Sequence, residues 1–108
     1  MATQGLVTVL KGGRVVMKII TGSDGMHAPK LASKLRSFGR VPALDEAYRF
    51  ALSLGFGSSA SLVVMNERST FFFGDDELSP LYRETFDQPE FNPRWRQGTA
   101  DHVEVVTL

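Results

Sequence analysis

Two apolar runs, Leu6 to Leu10 and Val15 to Thr21, meet at the pair Gly12-Gly13, and this pattern constrains the chain more than any other. A two-residue hairpin turn needs positive φ at both central positions, which glycine adopts without steric cost. The runs therefore predict two antiparallel strands with Lys11 facing Arg14. Counting outward one residue per step pairs Leu10 with Val15, Thr8 with Met17 and Leu6 with Ile19. In that register these six residues share the expected core face, while Val7, Val9, Val16 and Lys18 lie on the other. Both faces hold β-branched residues, so the sheet should be covered fully on one side and partly on the other. The second run ends in Gly22-Ser23-Asp24-Gly25, a small polar cluster where the chain leaves the sheet.

Beyond this loop the period changes. Pro29 suits a first helical turn, and Leu31, Leu35 and Phe38 follow at spacings of four and three up to Gly39, a residue able to cap the helix in the left-handed conformation. A second helix is expected from Leu44 to Leu54, with only Asp45, Glu46, Arg49 and Ser53 forming a polar stripe. Ser61 to Asn66 and Thr70 to Phe73 read as a second hairpin, turning through Glu67 to Ser69. At least one ring of Phe71-Phe72-Phe73 is expected on the face opposite its neighbours. Gly74 to Glu77 reads as an acidic turn, Leu81 to Phe86 as a strand or short helix, Asp87 to Gly98 as irregular around Pro89 and Pro93, and His102 to Leu108 as a terminal strand. The fold expected is thus α+β: one domain over residues 1–108, with an antiparallel sheet of two hairpins plus the C-terminal strand packed against two helices, in two layers.

At 108 residues, 43% hydrophobic and 22% charged, the chain has the composition of one globular domain. No apolar stretch approaches the roughly 18–20 residues of a membrane span, no signal-peptide pattern opens the chain, and a cytoplasmic location is the default expectation. Without cysteine there are no disulfides and no thiolate chemistry. The net charge of zero conceals an asymmetry, because residues 1–50 carry eight Lys or Arg against three Asp or Glu, and the remainder four against nine. Either Lys11, Arg14, Lys18, Lys30, Lys34, Arg36 and Arg40 form a basic face, or the halves neutralise each other on folding.

Few residues here can carry chemistry. Ser23, Asp24 and His27 supply the side-chain types of an acyl-transfer triad, yet Ser, Asp and Gly are also what a turn selects. A milder reading makes Ser23, Asp24, His27 and the start of the Pro29 helix a shallow pocket for a small polar or anionic ligand. Arg94-Trp95-Arg96 sets an aromatic platform between two guanidinium groups; exposed, it would bind a protein partner or stack a base, and buried, it would pin a loop. The absence of net positive charge argues against general nucleic-acid affinity. Only His27 and His102 are available as imidazole ligands, and Asp75-Asp76-Glu77 lacks the pattern of a calcium loop, so no metal and no cofactor is expected.

Two resemblances add to this reading. The Thr3-Gln4-Gly5 start, the strand through Val9, the Gly13 turn, Met17, and Asp24-Gly25 followed by the Lys30 to Leu35 helix resemble a family of small uncharacterised bacterial and phage proteins. That family opens with Thr-Arg and reaches Asp-Gly-Tyr-Pro after its second strand; this chain carries Gln4 and Met26-His27 at those places. The resemblance covers the first third of the chain and implies a hairpin and loop with no attached activity. Thr3 and Asp24-Gly25 are also similar in placement to N-terminal nucleophile hydrolases of the proteasome type, which implies Thr3 as nucleophile only if it becomes the first residue, since the free α-amine is the base. Loss of Met1 alone would leave Ala2 first. The leading expectation is a small non-enzymatic binding or interaction protein acting as a homodimer through its terminal strands. The alternative is a small hydrolase using Thr3, or Ser23, Asp24 and His27.

Overall fold

The computed structural model describes residues 3–58, 61–66, 68–73, 80–84 and 101–108. Six strands form one mixed sheet: β1 (Gly5–Lys11), β2 (Arg14–Thr21), β3 (Leu62–Asn66), β4 (Ser69–Phe73), β5 (Pro80–Glu84) and β6 (His102–Thr107). Their spatial order is β5-β4-β3-β2-β1-β6. Two helices, α1 (Ala28–Phe38) and α2 (Leu44–Ser53), connect β2 to β3 and pack on one face of the sheet. The α+β architecture of a sheet against two helices is the one the periodicities predict.

The hairpin forms at Gly12 (φ 61°) and Gly13 (φ 78°), and Lys11 pairs with Arg14 as the turn requires. Beyond Leu10, however, the register departs from expectation. An irregularity between Val9 and Leu10 shifts the pairing by one residue, so that Val9 faces Met17, Thr8 faces Lys18, and Leu6 faces Ile20. Val16 is the extra residue of a β-bulge. The core face is therefore Val7, Val9, Met17 and Ile19 rather than Leu6, Thr8, Leu10 and Val15, and it is joined by Leu62, Val64, Phe71 and Val106 beneath the helices. The bulge was invisible to pattern counting because Val15 and Val16 satisfy either face.

The opposite face is buried as well. Leu6, Ile20 and Met65 form a second cluster with Val15, Val63 and Val103, to which neither helix contributes. Lys18 lies on this face and is only 3% exposed, so it belongs to no basic surface. Thr8 is buried beside it, and its hydroxyl finds no hydrogen-bond partner among the described residues.

A second correction concerns β6. It runs parallel to β1, Gly5 opposite His102 through Leu10 opposite Thr107, so the sheet is mixed rather than purely antiparallel. The start of β6 is fastened to the start of β1: Gln4 N donates to Asp101 Oδ2 at 3.0 Å, and Asp101 N and His102 N both donate to the Gln4 carbonyl. Both strands thus leave the same end of the sheet. Residues 81–84, open between strand and helix in the sequence, lie in β5, antiparallel to β4.

Helix ends follow local chemistry. Gly39, at φ 78°, closes α1 with its N–H on the Leu35 carbonyl. At the start of α2, Glu46 Oε1 accepts a hydrogen bond from Ala43 N at 3.0 Å. At its end Gly55 takes φ 78°, Gly55 N donates to Leu52 O and Phe56 N donates to Ala51 O, the paired bonds of a Schellman motif. The motif delivers the fully buried Phe56 ring into the core. Phe71 packs on the helix side against Tyr48, ring centroids 5.0 Å apart. Arg94-Trp95-Arg96, the acidic turn from Gly74 to Glu77 and the irregular span from Asp87 to Gly98 lie outside the described residues.

Candidate functional site

The loop after β2 is organised by hydroxyl groups. Ser61 Oγ lies 3.0 Å from Thr21 Oγ1, 2.8 Å from Ser23 Oγ and 3.1 Å from Ser58 Oγ, and it accepts from Ser58 N at 3.1 Å. Thr21 Oγ1 in turn donates to the Ser23 carbonyl at 2.8 Å. Gly57, at φ 86°, is required here twice over, because a Cβ at that position would stand 2.4 Å from Thr21 Oγ1. These bonds tie the end of β2 to the entry of β3. A hydroxyl with that many neighbours has little capacity left for a substrate, and Ser61→Ala is expected to destabilise the fold by about 1–2 kcal/mol in chemical denaturation, since Thr21 and Ser23 lose their shared partner.

The residues singled out in the sequence fall around this cluster without closing into a catalytic arrangement. Ser23 Oγ is turned to Ser61. Asp24 is exposed in the left-handed conformation (φ 58°) and its side chain caps nothing. The half-buried His27 ring lies beside Gly55, its Cδ2 3.5 Å from where a Cβ of that glycine would stand. Among the described residues no hydrogen bond between side chains and no ion pair links Ser23, Asp24 and His27; Asp24 and His27 meet only through the main chain, His27 N donating to Asp24 O at 3.3 Å. Thr3 does come close in the backbone: its carbonyl accepts from Gly25 N at 2.9 Å, which brings the start of the chain and the Asp24-Gly25 turn together. The contact is made through the main chain.

The start of α1 is also partly spent. Gly25–His27 forms a 3-10 turn running directly into the helix, so His27 N donates to Asp24 O, Ala28 N to Gly25 O, and Pro29 has no N–H to offer. On the helix surface Lys34 lies over the Phe50 ring and Arg40 over Phe38, each cation within 5.0 Å of a centroid, and Arg40 also approaches Glu46 at 3.7 Å. Of the seven cations considered as one basic face, Lys30, Lys34, Arg36 and Arg40 are exposed along α1 and just beyond it, Lys11 and Arg14 flank the hairpin turn, and Lys18 is buried.

Among the described residues, β6 is an edge strand paired on one side only. His102 N and Leu108 N both point at β1, donating to Gln4 O and Leu10 O, so the even-numbered residues of β6 turn their peptide groups inward. Peptide groups alternate along a strand, and those of Val103, Val105 and Thr107 therefore face outward. The Val105 side chain is 38% exposed. Among the described residues one side chain guards this edge by a hydrogen bond: Arg36 Nη2 donates to the Val105 carbonyl at 3.0 Å. Glu104, half-buried on the helix side of the same strand, makes no hydrogen bond or ion pair among the described residues. Glu104 did not stand out in the sequence, and Arg36 did so only as one cation of a possible basic face; the available signal for the edge was the β-branched residues of a terminal strand lacking Pro and Lys.

Fold and surface together define a two-layer α+β domain whose mixed sheet ends, among the described residues, in the parallel edge strand β6. No protein-family model matches the chain, and no curated protein or solved structure matches it either.

Proposed function

We propose that this chain is a small interaction domain that works by accepting an added strand along β6. The observation that carries this reading is the outward backbone of Val103, Val105 and Thr107 beside an exposed valine, on an edge that Arg36 guards at a single carbonyl. Natural edge strands are usually blunted by lysine, proline, bulges or cover, because unpaired peptide groups otherwise recruit another strand. The opposite edge begins with Pro80 and carries Arg83 and Glu84. β6 has no such proline or lysine. Strand addition supplies affinity through main-chain hydrogen bonds and specificity through alternate side chains. A hydrolase reading has less support, since Ser23 Oγ is bonded to Ser61 and, among the described residues, the side chains of Asp24 and His27 make no hydrogen bond to it or to each other.

The test is amide hydrogen exchange with a capped peptide of the β6 sequence as probe. On adding the peptide, the amides of Val103, Val105 and Thr107 are expected to slow, while those of His102 and Glu104, already turned to β1, change little. Val105→Pro removes one outward donor without touching the β1 ladder, a placement proline tolerates on an edge strand. It should abolish the response at unchanged helix content. Amides of Val103, Val105 and Thr107 that exchange freely both without and with the peptide would end the strand-addition reading.

A further inference from the structure

Resting on that edge reading, we infer that the occupant of β6 is a second copy of this chain, paired antiparallel about Val105 and locked by Arg36 of each copy on Glu104 of the other. Only odd-numbered residues of β6 offer outward peptide groups, so a two-fold axis at Val105 lets the two Val105 residues exchange both hydrogen bonds and sets each Val103 against a Thr107. The side-chain pairs in this register are Val105 with Val105, Val103 with Thr107, Glu104 with Val106 and His102 with Leu108. None places like charges opposite, and the isologous geometry closes at two chains.

Charge complementarity then selects the second copy over an arbitrary strand. Arg36 reaches over the edge to the carbonyl that links Val105 to Val106. In the paired register, Val106 is the residue facing Glu104 of the second copy, so the incoming carboxylate arrives beneath the guanidinium on the helix side. The Val105 carbonyl passes from Arg36 to the incoming strand's N–H. Arg36 passes to a carboxylate that has no hydrogen-bond or ion-pair partner among the described residues. The guard of the free edge thus becomes the lock of the paired one, twice per dimer by symmetry.

Sedimentation equilibrium of the full chain across micromolar concentrations tests this. The wild type should be dimeric and Val105→Pro monomeric. Arg36→Glu and Glu104→Arg should each weaken the dimer by about tenfold or more, as loss of a close charge pair does, and R36E/E104R together should restore it. A chain that stays monomeric while its β6 amides still respond to the peptide would overturn the second copy and leave the edge reading intact. A dimer broken by Val105→Pro but indifferent to the charge variants would overturn the Arg36–Glu104 lock, and one indifferent to Val105→Pro would overturn the interface itself.

Discussion

Phe56→Ala is expected to destabilise this protein by about 4 kcal/mol, the cost of emptying a large aromatic site in a packed core. Phe56 is fully buried and stands just past the end of α2, where the Schellman bonds of Gly55 and Phe56 fix the direction in which its ring enters. The ring presses on β1 at Gly5, where a Cβ would lie 2.7 Å from Phe56 Cε1. It thus fills the space between the helix layer and the end of the sheet that carries Thr3, Gly25 and the hydroxyl cluster. Because glycine supplies the facing wall, no neighbouring side chain from Gly5 can collapse into the void. Thermal unfolding by circular dichroism should show a midpoint lowered on the order of 15–25 °C. Phe56→Leu, which retains much of the volume, should lose well under half as much. A loss below about 1 kcal/mol for the alanine variant would mean that the ring is not part of the core.

Gly25→Ala is expected to be nearly as damaging, for the opposite reason. Its added Cβ would stand 2.4 Å from the Gln4 carbonyl carbon and 2.5 Å from Gly5 N. These are backbone atoms with no rotamer to yield, so the turn and the start of β1 must separate. The same Gln4 carbonyl accepts from Asp101 and His102, and the separation therefore propagates into the anchoring of β6. Overpacking ordinarily costs 1–3 kcal/mol, and with main chain on both sides we expect about 3 kcal/mol. Denaturant titration measures it, and the accompanying signature is faster exchange of the Gly25 and His102 amides. Gly12→Ala is the control, since nothing lies within 4 Å of a Cβ there; it pays the cost of positive φ alone.

Both effects concern the loop after β2, which the sequence marked out without showing its purpose. Ser23-Asp24-Gly25 was legible as a turn, because its residue types have turn chemistry independent of context. That Ser23 turns to Ser61, and that Gly25 must lie against Gln4, depends on residues far apart in the chain. Serines in a loop carry no mark of which neighbour they will meet. The β6 edge was legible in part: alternation and valine content gave the strand, whereas Arg36 over Val105 joins residues 69 apart.

What the sequence determined by itself is whatever rests on backbone preference and short periodicity. Gly12-Gly13 demanded a hairpin, the spacing of Leu31, Leu35 and Phe38 demanded a helix face, and Gly39 and Gly55 ended the helices, each within one turn of chain. Tertiary structure alone decided the Val16 bulge, the parallel direction of β6 and the gathering of Thr21, Ser23, Ser58 and Ser61. The bulge moved the core from Leu6 and Thr8 to Val7 and Val9 because valines on both faces make either register locally acceptable, and only packing against the helices discriminates between them. Strand direction leaves no local trace at all. It is set where β6 begins, by the bonds of Asp101 and His102 to Gln4 at the far end of the chain.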